Sequence, residues 1–276
     1  MKDYQKLLFP YAYNITGSSE DAKDAIQDIL VKHFSFRNEN IKNETGYLIK
    51  SVINQSINIK KRKDKVNLNK IWLPEPVATE KSDDSINRDE IISYSLLVLL
   101  EKLTPKERAV FILKEAFDYS HKDIAETIDL TIENARKLLS RARTKLSLSE
   151  NKTKQYSSHN TSSYMEEYID VIKNGDVKRL EKMLSKDISL AADGGGKISV
   201  VRELTIGKSA ALDLLFYVFQ TYQELQTIKI SEINHQPALL FYQEGVLVNC
   251  QVFELEWGNI KRIFSILAPN KLKSII

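Results

Sequence analysis

The first 63 residues contain two stretches in which apolar side chains recur at the three- and four-residue spacing of a helix. The earlier stretch follows Ser18, which can cap a helix, and the later one runs from Thr45 to Lys63. The two apolar stripes consist of Ile26, Ile29, Leu30 and His33, and of Leu48, Val52, Ile53 and Ile57. We therefore predict an all-α domain over residues 1–63.

Residues 90–146 contain further helices separated by strong start and stop signals. Thr104 and Glu107 form a capping-box pattern around Pro105, and Ser120 with Asp123 repeats the pattern. The residues 129–131 then make a short turn before a long basic helix, Ile132 to Leu146. A short helix, a tight turn and a longer helix predict a helix-turn-helix domain, and Ala125 supplies the small residue where the helices meet.

Residues 164–276 show a different pattern, in which helices come first and strands last. We predict a helix or a helix pair over 164–184, a strand over 200–206, a helix over 208–222, and an antiparallel sheet from 237–242, 246–257 and 260–267. This is the plan of an α+β domain. Two linkers separate the three segments. Residues 64–89 hold Trp72-Leu73-Pro74-Glu75-Pro76, and residues 147–163 are rich in serine.

Composition places the chain among ordinary globular proteins. It has 276 residues, of which 42% are hydrophobic and 28% are charged, and a formal net charge of +3. One cysteine, Cys250, excludes an internal disulfide framework and a cysteine-based zinc site. With no apolar run of membrane-spanning length, these features favour a cytoplasmic location, and we expect no metal and no cofactor.

The charges are unevenly distributed. Basic side chains outnumber acidic ones five to one over both 59–65 and 132–146, whereas residues 18–28 hold four acidic side chains and one basic one, Lys23. The basic helices are typical of nucleic-acid contact. For Asp24, Gln27 and Asp28, two interpretations remain open from composition, a solvated helix face or an acidic stripe that binds a basic protein surface.

The order and spacing of these motifs resemble extracytoplasmic-function (ECF) RNA polymerase sigma factors. Residues 19–28 and Tyr47-Leu48 are similar to sigma region 2, and residues 103–108, 123–125 and 136–146 to region 4. The resemblance implies promoter-specific transcription initiation, with RNA polymerase core and promoter DNA as partners. The implied polymerase contacts lie on the β′ clamp and the β flap, and Asp24, Gln27 and Asp28 would face the clamp.

The same resemblance assigns two sets of DNA contacts. The set for the −35 element lies on and just before the last helix of region 4, and the set for the −10 element lies on the second basic helix of region 2. The −35 residues are Thr131, Glu133, Asn134, Arg136, Lys137, Ser140, Arg141 and Arg143. The −10 residues are Asn43, Lys50, Asn54, Asn58, Lys60, Lys61 and Arg62.

Three further motifs resemble those of sigma factors that carry a fused SnoaL-like (NTF2-like) cone domain, here residues 164–276. They imply cis regulation through an interdomain contact. Their residues are Trp72, Leu73, Pro74, Glu75 and Pro76; Asp193, Gly194, Gly195, Gly196 and Lys197; and Pro269, Asn270, Lys271 and Leu272. In the last motif, Ala268-Pro269-Asn270 replaces the family's usual Asn-Pro-Asp.

We expect the chain not to be an enzyme, because no acid/base set is evident in the cone domain. Two alternatives remain. One is a helix-turn-helix regulator fused to a domain that senses or converts an unknown small ligand. The other is a plain DNA-binding repressor, which would not need the acidic stripe.

Overall fold

The computed structural model describes residues 3–35, 41–64, 72–80, 87–147, 161–200 and 204–275. The chain divides into two units. One comprises residues 1–68 and 81–151, and the other comprises residues 69–80 and 152–276. The linker expected over 64–89 is therefore divided between the two units, because residues 69–80 belong to the second unit. Most of the serine-rich linker lies outside the described residues.

The first unit begins with three helices, α1 (Tyr4–Thr16), α2 (Ser19–Ser35) and α3 (Glu44–Asp64). The two apolar stripes in the sequence correctly predicted α2 and α3. Helix α1 was missed because Pro10 lies inside it and because its second half is buried on all sides, so that half shows no clear helical period. Its residues from Leu8 to Thr16 are buried, so α1 forms the core of this region.

The later described part of the first unit contains α4 (Tyr94–Leu99), α5 (Pro105–Glu115), α6 (His121–Thr127) and α7 (Ile132–Ser147), with 3-10 turns at Arg88–Glu90 and Leu100–Lys102. Both predicted capping boxes are present, with Thr104 and Glu107 at α5 and Ser120 and Asp123 at α6. Each satisfies two backbone N–H groups that helix geometry leaves unpaired. Asp129 adopts a φ of 50° in the turn before α7, in the left-handed region that Asp tolerates.

The second unit contains α8 (Thr161–Lys173), α9 (Val177–Met183), α10 (Lys208–Val218) and α11 (Pro269–Leu272). A π-helical turn, Phe219–Gln223, extends α10. The strands are β1 (Leu184–Asp193), β2 (Thr205–Ile206), β3 (Thr227–Ile233), β4 (Gln236–Gln243), β5 (Val246–Glu256) and β6 (Asn259–Ile266). The predicted α+β class is confirmed.

The six strands form one sheet in the order β2-β1-β6-β5-β4-β3. The three strands predicted over 237–242, 246–257 and 260–267 are β4, β5 and β6, and they pair antiparallel as expected. The sheet as a whole is mixed, because β1 pairs with β6 in parallel. The ten-residue strand β1 was not predicted at all. The strand expected over 200–206 is found only at Thr205–Ile206, and residues 201–203 lie outside the described residues.

The sheet is buried on both faces. One face packs against α8, α9 and α10 through a core that includes Tyr168, Phe241 and Phe253. On the other face, Leu240, Cys250 and Ile266 lie side by side in register, and all three are at most 6% exposed. The linker and the C-terminal tail cover this second face. Their buried apolar side chains are Leu73, Val77, Leu272 and Ile275.

No helix in the described ranges is both long and apolar enough to cross a membrane.

Candidate functional site

Helix α7 presents one buried and one exposed face. Ala135, Leu139 and Ala142 are at most 3% exposed and pack against the rest of the first unit. All eight of the residues predicted to contact the −35 element are exposed, including Thr131 at the helix start. The Thr131 hydroxyl accepts a hydrogen bond from the Asn134 backbone N–H at 3.2 Å, which caps α7. The sequence therefore positions a polar and cationic surface on a fixed helix.

The cations of α7 differ in their surroundings. Arg143 forms an ion pair with Glu115 at 2.6 Å, and Lys145 forms one with Glu107 at 2.6 Å. The Glu107 carboxylate is 5% exposed at its side chain and also caps α5. Burial raises the pKa of Glu107, but hydrogen bonds from Lys145 and Thr104 outweigh it and hold the pKa below its usual value. Lys145 therefore serves the stability of α5.

A concave site of about 340 Å³ lies between α6 and α7. Its polar lining includes His121, Arg136, Ser140, Arg143 and Thr144. Cationic and hydroxyl side chains around a hollow suit a phosphate group of DNA. The sequence reasoning missed His121 and Thr144, although the position of His121, directly after the Ser120 cap, was a signal that it opens α6.

The residues predicted for the −10 element lie along α3 or just before it. Asn43, Lys50, Asn58, Lys61 and Arg62 are exposed, and Asn54 is half-buried. The Asn43 side chain accepts a hydrogen bond from the Gly46 backbone N–H at 3.0 Å, which caps the start of α3.

Lys60 stands apart from the other −10 residues. It is 6% exposed, and its ammonium lies 2.5 Å from the Glu101 carboxylate. In this structure Lys60 is an internal ion-pair partner and does not face solvent.

The acidic stripe is exposed on α2. Asp24, Gln27 and Asp28 all face solvent, and Asp28 accepts a hydrogen bond from the Gln55 side chain at 3.0 Å. Next to the stripe, a groove contains the exposed apolar residues Val31 and Phe34, which are 58% and 60% exposed. An apolar groove beside exposed carboxylates is suited to a protein partner with basic and apolar residues.

The structure brings together three motifs that are far apart in the sequence. The Asp193 carboxylate accepts a hydrogen bond from the Leu73 backbone N–H at 2.9 Å and lies 2.7 Å from the Lys271 ammonium. Lys271 also donates to the Leu73 carbonyl and lies 4.2 Å from the centre of the Trp72 ring. Asp193 and Lys271 are 5% and 4% exposed. We call this arrangement the linker latch.

The linker continues from the latch along the edge of the sheet. Val77 and Asn234 exchange two hydrogen bonds, at 3.0 Å and 2.9 Å. The Thr79 backbone N–H donates to the Glu232 carbonyl at 3.0 Å, and the Thr79 hydroxyl accepts from the His235 backbone N–H at the same distance. The segment 72–80 is thus attached at both ends, by the latch and by β3.

Steric contact explains a glycine at position 195, in the motif Asp193 to Lys197. Gly195 has a φ of +63°, and a Cβ atom built there would lie 2.8 Å from the Ala268 side chain. The backbone N–H groups of Leu267 and Ala268 both donate to the Asp193 carbonyl. The tail is therefore held at this point by main-chain contacts. Pro269, Asn270, Gly196 and Lys197 are exposed, whereas Gly194, Leu272 and the linker residues Pro74, Glu75 and Pro76 are buried.

Two family models match parts of the first unit. Residues 1–66 match the family model for sigma-70 region 2, and residues 93–146 match that for sigma-70 region 4. The chain is 23% identical over 279 residues to the probable ECF RNA polymerase sigma factor SigI of Mycobacterium tuberculosis, covering 98% of this chain and 92% of that protein. It is 22% identical over 223 residues to SigJ of the same organism, covering 78% and 70%.

The crystal structure of M. tuberculosis SigJ aligns with a TM-score of 0.79 at 19% identity, covering 99% of this chain and 96% of that one. The two chains therefore share a fold over their whole length. That fold consists of a helical unit with a helix-turn-helix and a C-terminal α+β domain. Residues 1–66 and 93–146 carry sigma-70 regions 2 and 4, and the chain is similar over 98% of its length to an ECF sigma factor. The predicted resemblance is confirmed.

Proposed function

We propose that this protein binds RNA polymerase core and directs it to promoters by reading a −35 element with α7 and a −10 element with α3. The observation that carries the proposal is the exposed face of α7. It offers eight polar and charged side chains on a helix that is capped, packed and preceded by a tight turn. Cationic side chains on such a helix suit the phosphates and base edges of a major groove. This role would place the protein in the cytoplasm, with the chromosome.

Run-off transcription with purified polymerase core tests the −35 part of the proposal. We expect the double variant Arg136→Ala and Lys137→Ala to weaken transcription and DNA binding. The slope of log affinity against log salt should fall by about one for each lost phosphate contact. The matched control is Lys178→Ala with Lys182→Ala, which removes two exposed cations from α9 in the other unit. Equal effects of the two pairs would contradict DNA reading by α7.

The acidic stripe on α2 supports a contact with the polymerase clamp. Asp24 and Asp28 are exposed and sit beside an apolar groove. Charge reversal with Asp24→Lys and Asp28→Lys should abolish capture by polymerase core and leave duplex binding intact. Reversal of Asp213 and Glu224, exposed acids of the other unit, is the control. If the stripe variant still captures core, the clamp contact is wrong, and a plain DNA-binding repressor becomes the better description.

We further propose that the C-terminal domain regulates this activity in cis through the linker latch. The support is that the linker between regions 2 and 4 belongs to the core of the C-terminal unit. Residues 72–80 are part of the linker that joins regions 2 and 4. A change in how they dock on the C-terminal unit therefore changes the linker between the two proposed DNA-reading regions. Deletion of residues 164–276 should change promoter-dependent transcription. Unchanged transcription would contradict cis regulation.

We infer a structural and not a catalytic role for the C-terminal domain. Its buried Glu254 carboxylate lies 2.9 Å from Arg262. Burial raises the pKa of Glu254 while Arg262 opposes the rise, as in a packed ion pair. His235 is held by the linker, because its backbone N–H donates to Thr79. The substitution Glu254→Gln should therefore alter stability and leave transcription unchanged at a temperature where the domain is folded.

A further inference from the structure

The hollow between α6 and α7 is lined by one side chain whose charge changes near neutral pH. Its lining brings His121 of α6 together with Arg136, Ser140 and Arg143 of α7, and His121 is half-buried there. Histidine ordinarily changes charge between about pH 5 and 8, whereas arginine stays charged. The positive charge around this hollow therefore depends on pH through His121.

The charged groups nearest to His121 on α6 and α7 keep their charge over that range. The two arginines of α7 are permanent cations, and Lys122 beside His121 is an exposed cation. The Asp123 carboxylate accepts hydrogen bonds from the Ser120 hydroxyl at 2.5 Å and from the Ser120 backbone N–H at 3.1 Å. These bonds hold the pKa of Asp123 below its usual value, so Asp123 stays ionised where histidine titrates.

Helices α5 and α3 contribute one charged group each. Glu115 of α5 reaches the hollow through Arg143, and one of its carboxylate oxygens accepts hydrogen bonds from that guanidinium at 2.6 Å and 3.2 Å. The two side chains are 40% and 58% exposed, so their pair is weak. Lys50 of α3 lies at the opposite end of α6, where its ammonium donates to the Glu126 carbonyl at 2.6 Å.

A backbone phosphate of DNA matches the donors of this hollow. It carries one negative charge and accepts hydrogen bonds from guanidinium and hydroxyl groups, which Arg136, Ser140 and Thr144 supply. A protonated imidazole adds a cation and a charged donor, whereas a neutral imidazole adds at most one neutral donor. Because the protonated form binds the phosphate better, DNA binding and proton binding at His121 are linked. Arg143 offers the same donors to a carboxylate or to a phosphate, so Glu115 and a phosphate compete for it.

We propose that the hollow seats one backbone phosphate of duplex DNA as a pH-dependent clamp, in which protonated His121 adds a third cation and Glu115 competes with the phosphate for Arg143. The affinity for duplex DNA then rises as the pH falls, because the cation is present at low pH and lost as the pH rises. A contact with the DNA backbone carries no base information, so the clamp changes affinity without changing sequence preference. The inference rests on the proposed function, because it places the clamp beside the face of α7 that reads the −35 element.

Fluorescence anisotropy of a labelled duplex of about 30 base pairs and mixed sequence tests the clamp with the full chain, since phosphate contacts do not depend on sequence. We expect wild type to bind about tenfold more tightly near pH 5.5 than near pH 8.5, the scale of one hydrogen bond to a charged group. His121→Gln should lose most of this rise, and His121→Arg should keep the tighter binding at high pH. His235→Gln, which removes a histidine of the other unit, is the control and should behave as wild type.

Two further measurements separate the clamp from a merely structural role of His121. Calorimetric titration of the duplex in buffers of different ionisation enthalpy counts the protons taken up on binding. Wild type should take up a fraction of a proton near neutral pH, whereas His121→Gln and His121→Arg should take up none. Glu115→Gln should tighten binding by about two- to fourfold at every pH, because it releases Arg143 from an exposed pair. Glu126→Gln removes the same charge from an exposed residue of α6 and is its control.

The same pH dependence or the same proton uptake in wild type and His121→Gln would overturn the clamp. Equal effects of Glu115→Gln and Glu126→Gln would refute the competition for the arginine. If Arg136→Ala with Lys137→Ala leaves duplex binding unchanged, or if wild type binds no duplex, the reading of DNA by α7 and the clamp both fail. If that pair weakens binding while His121→Gln keeps the wild-type pH dependence, the clamp alone is refuted. If the pH dependence is found but polymerase core is not captured, the sigma function fails and the clamp stands.

Discussion

The linker latch depends on a buried ion pair, and the substitution Asp193→Asn tests it most directly. The change removes the negative charge beside Lys271, which is 4% exposed, and weakens the acceptor of the Leu73 backbone N–H. Removal of one partner of a buried pair typically costs about 3–5 kcal/mol, because the remaining charge is left in a poorly solvating site. Even the lower figure corresponds to about a 150-fold shift in an equilibrium constant.

Detachment of the linker exposes the unpaired Lys271 charge to water at a lower cost than unfolding of the whole domain. If residues 72–80 detach, Lys271 regains water. We therefore expect Asp193→Asn to release the linker while the sheet stays folded. Amide hydrogen exchange reports this residue by residue, since the N–H groups of Leu73, Val77 and Thr79 all donate to acceptors in the C-terminal unit. Their protection should fall by about two orders of magnitude, and that of β5 should not.

Two further variants make the measurement decisive. Asp187→Asn is the control, because it removes a half-exposed carboxylate from Lys261, which keeps Glu256 at 2.8 Å. In the background of Asp193→Asn, the change Lys271→Met removes the stranded charge and should restore part of the protection. If exchange at Leu73, Val77 and Thr79 is the same in Asp193→Asn as in Asp187→Asn, the latch does not hold the linker and the reasoning is refuted.

Two other predictions concern helix α5 and the glycine turn. Because the pKa of Glu107 is depressed in the folded protein, its cap and its pair with Lys145 stabilise the protein above about pH 4.5 and are lost as the pH falls through the lower folded pKa. Urea denaturation between pH 6 and 3 should show a steeper loss for wild type than for Glu107→Gln; parallel curves would disprove the link. Gly195→Ala should destabilise the C-terminal unit more than Gly175→Ala, by about 1–3 kcal/mol, because both have similar positive φ but only Gly195 abuts Ala268. Equal melting temperatures for the two variants would show that the close approach at Gly195 is unimportant.

Local signals in the sequence predicted helices α5, α6 and α7 well. The capping boxes at Thr104 and Ser120 and the left-handed turn at Asp129 are all present, because each depends on residues within a few positions of one another. The same holds for α7, in which burial follows the helical period. Local chemistry determines these features whatever surrounds them.

Features that depend on distant parts of the chain were harder to predict. The strand β1 was missed because its partner in the sheet, β6, is supplied about 70 residues later. Lys60 was expected to face DNA, and nothing near it in sequence signals that Glu101 binds it instead. The latch motifs were recognised as residues of interest, but their meeting could not be worked out from spacing, since Leu73 and Lys271 are separated by 198 positions.

That separation also has a consequence in time. A ribosome adds about 5–20 residues per second, so residue 271 emerges about 10–40 s after the linker it holds. Regions 2 and 4 are synthesised before any strand of the C-terminal sheet. Until those strands are made, the apolar linker has no sheet to pack against. Each newly made molecule therefore passes through a brief period in which regions 2 and 4 are present without the C-terminal sheet, and that period ends only when the tail docks.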